Sequence, residues 1–272
     1  MPFTLAHAAA ALPSRRLRLI PSAVVVGTFA PDFEYFLHLA PDSGFGHTFQ
    51  GIAELSFPLA MLMLWIFHSF VKVPLAGLLP NGIQRRLTPY LTNFTFRGGG
   101  RLLLIAASVL LGIGTHLVWD SFTHPNTWPY YHLSILRGTL PAPFVGSIAF
   151  YKLLQHASTI VGLAILAFWI GKWYETTAPS ARLTSEPSPT QRVFIVVAIT
   201  SISVVGAIAR AYAGDTLDLD HFSFSLFVGQ TVVALIALTW WQLVFYGLFE
   251  TWRQSRRTHI GARAEKLPDA ER

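Results

Sequence analysis

Five apolar stretches dominate the chain, at roughly residues 52–70, 102–119, 153–173, 193–213 and 224–249, with polar segments between them. Each approaches the ~20 apolar residues a helix needs to cross the hydrocarbon layer. Pro58 lies inside the first stretch and predicts a kink there. Ahead of the five, residues 1–51 hold no full-length span. Leu5 to Leu12 is a short Ala-rich helical piece carrying His7, and Leu17 to Ala30 is apolar but interrupted by Pro21 and Gly27. Arg15, Arg16 and Arg18 follow the first apolar piece, the reverse of the order in a signal peptide. The segment reads as short helices and loops in the membrane interface. The pattern predicts an all-α integral membrane helical bundle of about five transmembrane helices plus this N-terminal interfacial segment. Its divisions are 1–51, the interfacial segment with candidate metal ligands; 52–173, a three-span core; 174–192, a linker rich in Ser, Thr and Pro; 193–249, a two-span hairpin; and 250–272, a basic tail expected to fray.

Composition agrees with the pattern. Only 12% of residues are charged and 52% are hydrophobic, whereas soluble domains carry about 25% charged residues. The absence of cysteine excludes thiolate metal sites, disulfides and a cysteine nucleophile, so any metal must be held by His, Asp or Glu. The net charge of +6 suggests nucleic acid only until the charges are placed. If five spans alternate sides, one side collects Lys72, Arg85, Arg86, Arg97, Arg101, Lys172, Arg182, Arg192 and six more from Arg253 to Arg272. The other holds Arg15, Arg16, Arg18, Arg137, Lys152 and Arg210. The positive-inside bias makes the richer side cytoplasmic, with the amino terminus outside and the carboxyl terminus inside. The bilayer is then the expected partner and nucleic acid is not.

This orientation sorts the chemistry. Of ten histidines, only His68 and His259 fall on the cytoplasmic side, while the outer side gathers the rest together with Asp32, Glu34, Asp42, Asp120, Asp215, Asp218 and Asp220. His116 and Asp120, four residues apart at the end of an apolar helix, share one helix face. Such groups are costly there unless paired, ligating a metal or facing water. His124 falls past the helix end, because Pro125 disfavours helical backbone before it. His7, Asp32, His47, His116 and Asp120 form a constellation whose imidazole and carboxylate donors suit zinc or a similar divalent ion. Five such groups could hold one ion or two. The bland alternative is a set of interfacial residues in which His116 and Asp120 merely trim a helix end. Glu34 could act as a general base or a ligand. Lys152, Gln155 and His156 could bind phosphate or anchor the third span. Asp215, Asp218, Asp220 and His221 read as a solvated hairpin.

The opening Met1-Pro2-Phe3-Thr4-Leu5-Ala6-His7, Ala30-Pro31-Asp32-Phe33-Glu34, Gly114-Thr115-His116 with Trp119-Asp120 and Thr123-His124, and Tyr151-Lys152-Leu153-Leu154-Gln155-His156 together resemble a bacterial membrane family, domain of unknown function 4184, over about residues 1–250. That resemblance implies no activity. More distantly, the order His, Pro-Asp, His-Thr, then His-x-x-x-Asp is similar to inner-membrane metal-dependent hydrolases related to zinc phospholipase C. By position it implies His7, Asp32, His47, His116 and Asp120 as ligands. The chain carries Gly46-His47-Thr48 where those hydrolases show a longer histidine motif. The expected function is metal-dependent hydrolysis of a phosphoester or lipid-like substrate at the outer face of the cytoplasmic membrane. Glu34 or Asp120 would take the proton from water, and Lys152 would neutralise the leaving phosphate. The alternatives are a non-catalytic metal- or proton-handling protein and a structural or assembly protein.

Overall fold

Apolar runs without a partner strand satisfy their backbone groups internally, and here they do so as helices. The computed structural model describes residues 3–40, 44–91, 94–142, 146–180, 187–213 and 223–264. Asp42, Arg182, Asp215, Asp218, Asp220, His221, Lys266 and Arg272 lie outside the described residues.

In chain order, a 3-10 helix, Thr4–Arg15, leads to α1 (Pro21–Phe29), a 3-10 turn at Ala30–Asp32, α2 (Phe33–His38) and a 3-10 turn at Phe45–His47. One long helical run, Phe49–Leu78, then contains α3 (Phe49–Gly51), α4 (Phe57–Ile66) and α5 (Lys72–Leu78), joined by π-helical turns at Ile52–Ser56 and Phe67–Val71. Next come α6 (Asn81–Leu87), α7 (Gly99–Thr123), α8 (Trp128–His132) and α9 (Ser134–Arg137). A small antiparallel hairpin follows, β1 (Thr139–Ala142) with β2 (Gly146–Ala149), Thr139 opposite Ala149. The long helices α10 (Phe150–Thr176), α11 (Pro189–Ala213) and α12 (Phe224–Ala264) complete the order.

Among the described residues, five helices are long and apolar enough to cross a membrane: Phe49–Leu78, Gly99–His132, Phe150–Thr176, Pro189–Ala213 and Leu226–Arg256. Phe168 and Phe194 are each more than 70% exposed. An apolar surface that extensive is not tolerated in water and suits contact with lipid. The protein is an all-α membrane bundle.

Pro58 does not break the first span. A proline cannot donate to the carbonyl four residues back, and its ring would strike that carbonyl. The preceding turn opens to π geometry, with the Phe57 N–H donating to the Ile52 carbonyl. Pro74 follows the second π turn in the same way, the Lys72 N–H donating to the Phe67 carbonyl. The basic tail also departs from expectation. Instead of fraying at Arg253, α12 continues to Ala264. A Glu250–Arg253 pair at 2.7 Å and the Arg256 guanidinium 4.2 Å from the centre of the Trp252 ring support the turn where the apolar run ends.

The chain divides into two compact units. The first comprises Met1–His38, Asp42–Leu64 and Thr95–Ala178. Its core is the crossing of α1 and α7, where Ala23, Val24, Ile105, Val109 and Ile113 are buried. Gly27 and Gly112 set the distance. A Cβ at Gly27 would collide with the Val109 carbonyl, and one at Gly112 with the Val24 carbonyl, the small-residue contact that lets membrane helices approach closely. So Pro21 and Gly27 do not interrupt this segment. Pro21 takes the first helical position, where its missing N–H costs nothing, and Gly27 is a packing residue. The 3-10 helix lies on α10, where the Phe3 N–H donates to Thr159 Oγ1 (3.0 Å).

The second unit comprises Leu39–Pro41, Trp65–Phe94 and Pro179–Arg272. Here α11 and α12 pair through buried Ala207, Ala211, Ala234 and Ala237. Gln242 Nε2 and the Thr239 hydroxyl both donate to Ser203 Oγ, at 2.7 and 3.0 Å. Gly247 admits the Phe70 carbonyl, whose i+4 residue, Pro74, has no N–H to donate.

Candidate metal centre

The first unit brings His7, Asp32, His47, His116 and Asp120 to one buried point. His116 and Asp120 stand one turn apart on the buried face of α7, with His116 Nε2 3.4 Å from Asp120 Oδ2. The helix ends at Thr123, and His124 is extended, as Pro125 requires.

Each other group arrives by a local device. In a 3-10 helix residues three apart eclipse one another, so Thr4 and His7 share an edge. The Thr4 hydroxyl donates to Asp32 Oδ2 (2.6 Å), and His7 Nε2 lies 3.4 Å from Asp120 Oδ1. Asp32 sits in the 3-10 turn after α1, fully buried. In that turn Pro31 has no N–H to offer Thr28, and the Thr28 carbonyl instead takes His116 Nδ1 at 2.8 Å. A carbonyl only accepts, so Nδ1 carries the proton and Nε2 of a neutral His116 presents its lone pair inward. His47 is held through Gly46, whose N–H donates to Glu34 Oε2 (3.1 Å) and whose carbonyl accepts from the Ser56 hydroxyl (2.9 Å). A side chain at Gly46 would collide with the Pro31 carbonyl, at 2.6 Å.

Four ligand atoms then describe a small polyhedron. His47 Nε2 is 3.3 Å from His116 Nε2, 3.6 Å from Asp32 Oδ1 and 3.9 Å from Asp120 Oδ2. His116 Nε2 is 3.7 Å from Asp32 Oδ1 and 3.4 Å from Asp120 Oδ2. Tetrahedral ligands about 2.0–2.1 Å from one ion stand about 3.3–3.4 Å apart. Two of these separations match that value and the other three are longer, close enough for the groups to draw in around a divalent cation. His7 Nε2, Asp32 Oδ1 and both carboxylate oxygens of Asp120 are buried and make no hydrogen bond. Leaving such atoms unsatisfied costs ~1–3 kcal/mol each. The groups satisfy the proximity expected of a metal site in two overlapping triads, His7–His116–Asp120 and Asp32–His47–His116.

The charges also balance a divalent ion. Burial lowers the pKa of His7, and burial above all lowers that of His47 to about 4. Both imidazoles are therefore neutral donors near pH 7. Burial raises the Asp32 carboxyl to about 6, against the pull of His116 and the Thr4 hydroxyl. Once deprotonated, Asp32 and Asp120 bring two negative charges, which a divalent ion would balance.

The remaining candidates stand elsewhere. Glu34 reaches the Gly46 N–H and so braces the His47 loop. Lys152 and His156 are exposed on the first turns of α10, and none of the short contacts of the cluster involves them. Three contributors escaped the sequence reading, namely Thr4, Ser56 and the Thr28 carbonyl. Only Thr4 left a trace, its spacing of three from His7. His124 belongs to the rim. Its Nδ1 is 2.9 Å from the Asp120 carbonyl and 3.7 Å from Asp120 Oδ2. The His124 and His47 side chains, 30% and 24% exposed, are the open edge of a cluster otherwise at most 8% exposed.

The fold and the cluster define a multi-pass helical membrane protein with a buried histidine–aspartate centre. The chain belongs to the family described as a domain of unknown function (DUF4184), which it matches over residues 1–248. That match spans all five centre residues. No curated protein and no solved structure matches the chain.

Proposed function

We propose that this protein is a metal-dependent hydrolase of the cytoplasmic membrane, acting at the outer face on a phosphoester. The observation that carries the proposal is the set of five ligand-to-ligand separations among Asp32, His47, His116 and Asp120. Mixed imidazole and carboxylate donors without sulfur favour zinc. When bound, such an ion lowers the pKa of water toward neutrality and polarises a phosphoryl oxygen. The chain's own groups do the rest. Thr28 and Thr4 fix the orientation of His116 and Asp32, as supporting partners of metal ligands do. Asp120 Oδ1, beside His7 Nε2, accepts the proton released by water. His47 and His124 form the entrance. Glu34 serves by holding the His47 loop, and Lys152 is available only to a part of the substrate lying outside the centre.

The outward orientation rests on the Lys and Arg distribution, and a reporter active only after export, fused behind Arg272, should stay silent. The central test is elemental analysis of protein purified in detergent without chelator. About one zinc per chain is expected, and His116→Ala should lose it by more than the ~10–100-fold typical of a supporting residue. Wild type without a divalent ion would overturn the proposal. Bound zinc with no turnover of any phosphoester would replace it with the metal-handling reading.

A further inference from the structure

A second feature of the first unit touches the centre without belonging to it. The 3-10 helix, α7 and α10 line an open groove of about 650 Å³, within the ~300–1,000 Å³ range of small-molecule sites. Its walls are almost wholly apolar. Ala6 and Ala10 form one side, Val118 a second, Val161 and Ile165 a third, and the polar atoms come from Thr115, Ser158 and His7. His7 is also the residue whose Nε2 approaches Asp120 Oδ1 at 3.4 Å, so one imidazole is a wall of both the groove and the centre.

The glycines of these helices separate packing from space. A Cβ at Gly112 would collide with the Val24 carbonyl, and one at Gly162 would come within 2.9 Å of Ala6. Both are accounted for by close approach. Gly114 lines the groove, and a Cβ there would meet nothing within 4 Å. Glycine is a poor helix former, and no neighbour requires it at this position. What its missing side chain provides is the room in the groove.

We infer that this groove receives the hydrocarbon tail of a membrane amphiphile, with the polar end of that molecule beside His7. The inference rests on the hydrolase proposal and narrows its substrate to a lipid-like phosphoester. An open apolar groove walled by helices of membrane-spanning length suits an alkyl chain. A water-soluble substrate would leave that surface uncovered. Lipid tails are as apolar as the groove, so the tail alone gains little by entering, and the polar end beside His7 supplies the preference for this site. Its effect is to orient the head group at the centre, the contribution that positioning makes to rate.

The test is photolabelling of the full chain in lipid nanodiscs with hexadecyl phosphate carrying a mid-chain diazirine, with adducts mapped by mass spectrometry. Adducts should concentrate on residues 111–118 and 158–165. Gly114→Leu, and independently Ser158→Phe, should reduce them about tenfold, the factor equivalent to 1.4 kcal/mol. Adducts on α11 and the metal content should not change, which shows that the variants are folded. Adducts spread evenly over all five spans, or undiminished in both variants, would mean surrounding lipid only and would overturn the inference. The parent proposal is read separately, by metal content and hydrolysis of p-nitrophenyl phosphate. Turnover of that short ester without groove labelling removes the tail site and keeps the hydrolase. Groove labelling without metal or turnover removes the hydrolase and leaves a lipid-binding slot.

Discussion

His47 and His116 face each other nitrogen to nitrogen, their Nε2 atoms 3.3 Å apart. Because His116 spends its Nδ1 proton on the Thr28 carbonyl, its Nε2 is a lone pair, and Asp32 and Asp120 add acceptors on the same side. A cluster of acceptors with few donors is stable when a cation stands among them. Stripping the ion with a chelator should therefore lower the melting temperature, and adding zinc back should restore it. Saturation at 1,000 times the dissociation constant corresponds to about 4 kcal/mol. A melting temperature indifferent to both treatments would count against the centre.

Thr4 offers a test of support without loss of a ligand. Its hydroxyl is hydrogen-bonded to Asp32 Oδ2, and Thr4→Val keeps the shape while removing the donor. Zinc affinity should fall about 10–100-fold, less than for Asp32→Asn. Equal losses for the two variants would show that Thr4 acts through the fold of the 3-10 helix instead.

The pH dependence follows from Asp32. Burial holds its carboxyl near 6, while burial above all keeps His47 near 4. Between those values His47 is already neutral and Asp32 still carries its proton. A cation must displace that proton, so zinc binding is full well above pH 6, is already weakened at pH 6, and falls by about tenfold per unit as pH drops further. Thr4→Val removes a bond that favours the carboxylate and should move the midpoint upward. Competition titrations from pH 5 to 8 measure both, and a flat profile would refute the assignment.

Two glycines should respond oppositely to alanine. At Gly27 the added methyl meets the Val109 carbonyl backbone, and overpacking of this kind costs ~1–3 kcal/mol. At Gly114 the methyl meets open space, and helix propensity favours Ala by up to ~1 kcal/mol. Thermal melts of the two variants should fall on either side of wild type.

The apolar runs revealed the five spans, because a helix crossing lipid must be apolar over its whole length. The i,i+4 spacing of His116 and Asp120 revealed their shared face for a similar local reason. What joins Asp32, His47 and His7 to them is the α1–α7 crossing, which depends on Gly27 and Gly112, and in the sequence Gly27 reads as a break. The Thr28 carbonyl is invisible by type, since every residue has one, and only the fold shows that Pro31 leaves it available. The continuation of α12 past Arg253 depends on pairs with Glu250 and Trp252 that an apolar-run count does not weigh.

The ligands of the centre are scattered from His7 to Asp120 along the chain, and this dictates an order of events during synthesis. At roughly 5–20 residues per second, His7, Asp32 and His47 are made several seconds before His116 and Asp120. An ion offered during that interval finds at most three of the five groups, with no α7 to align them. The centre can therefore close only after the second membrane helix has been released from the ribosome and inserted. Loading of the proposed ion would then be a late checkpoint on assembly of the first unit.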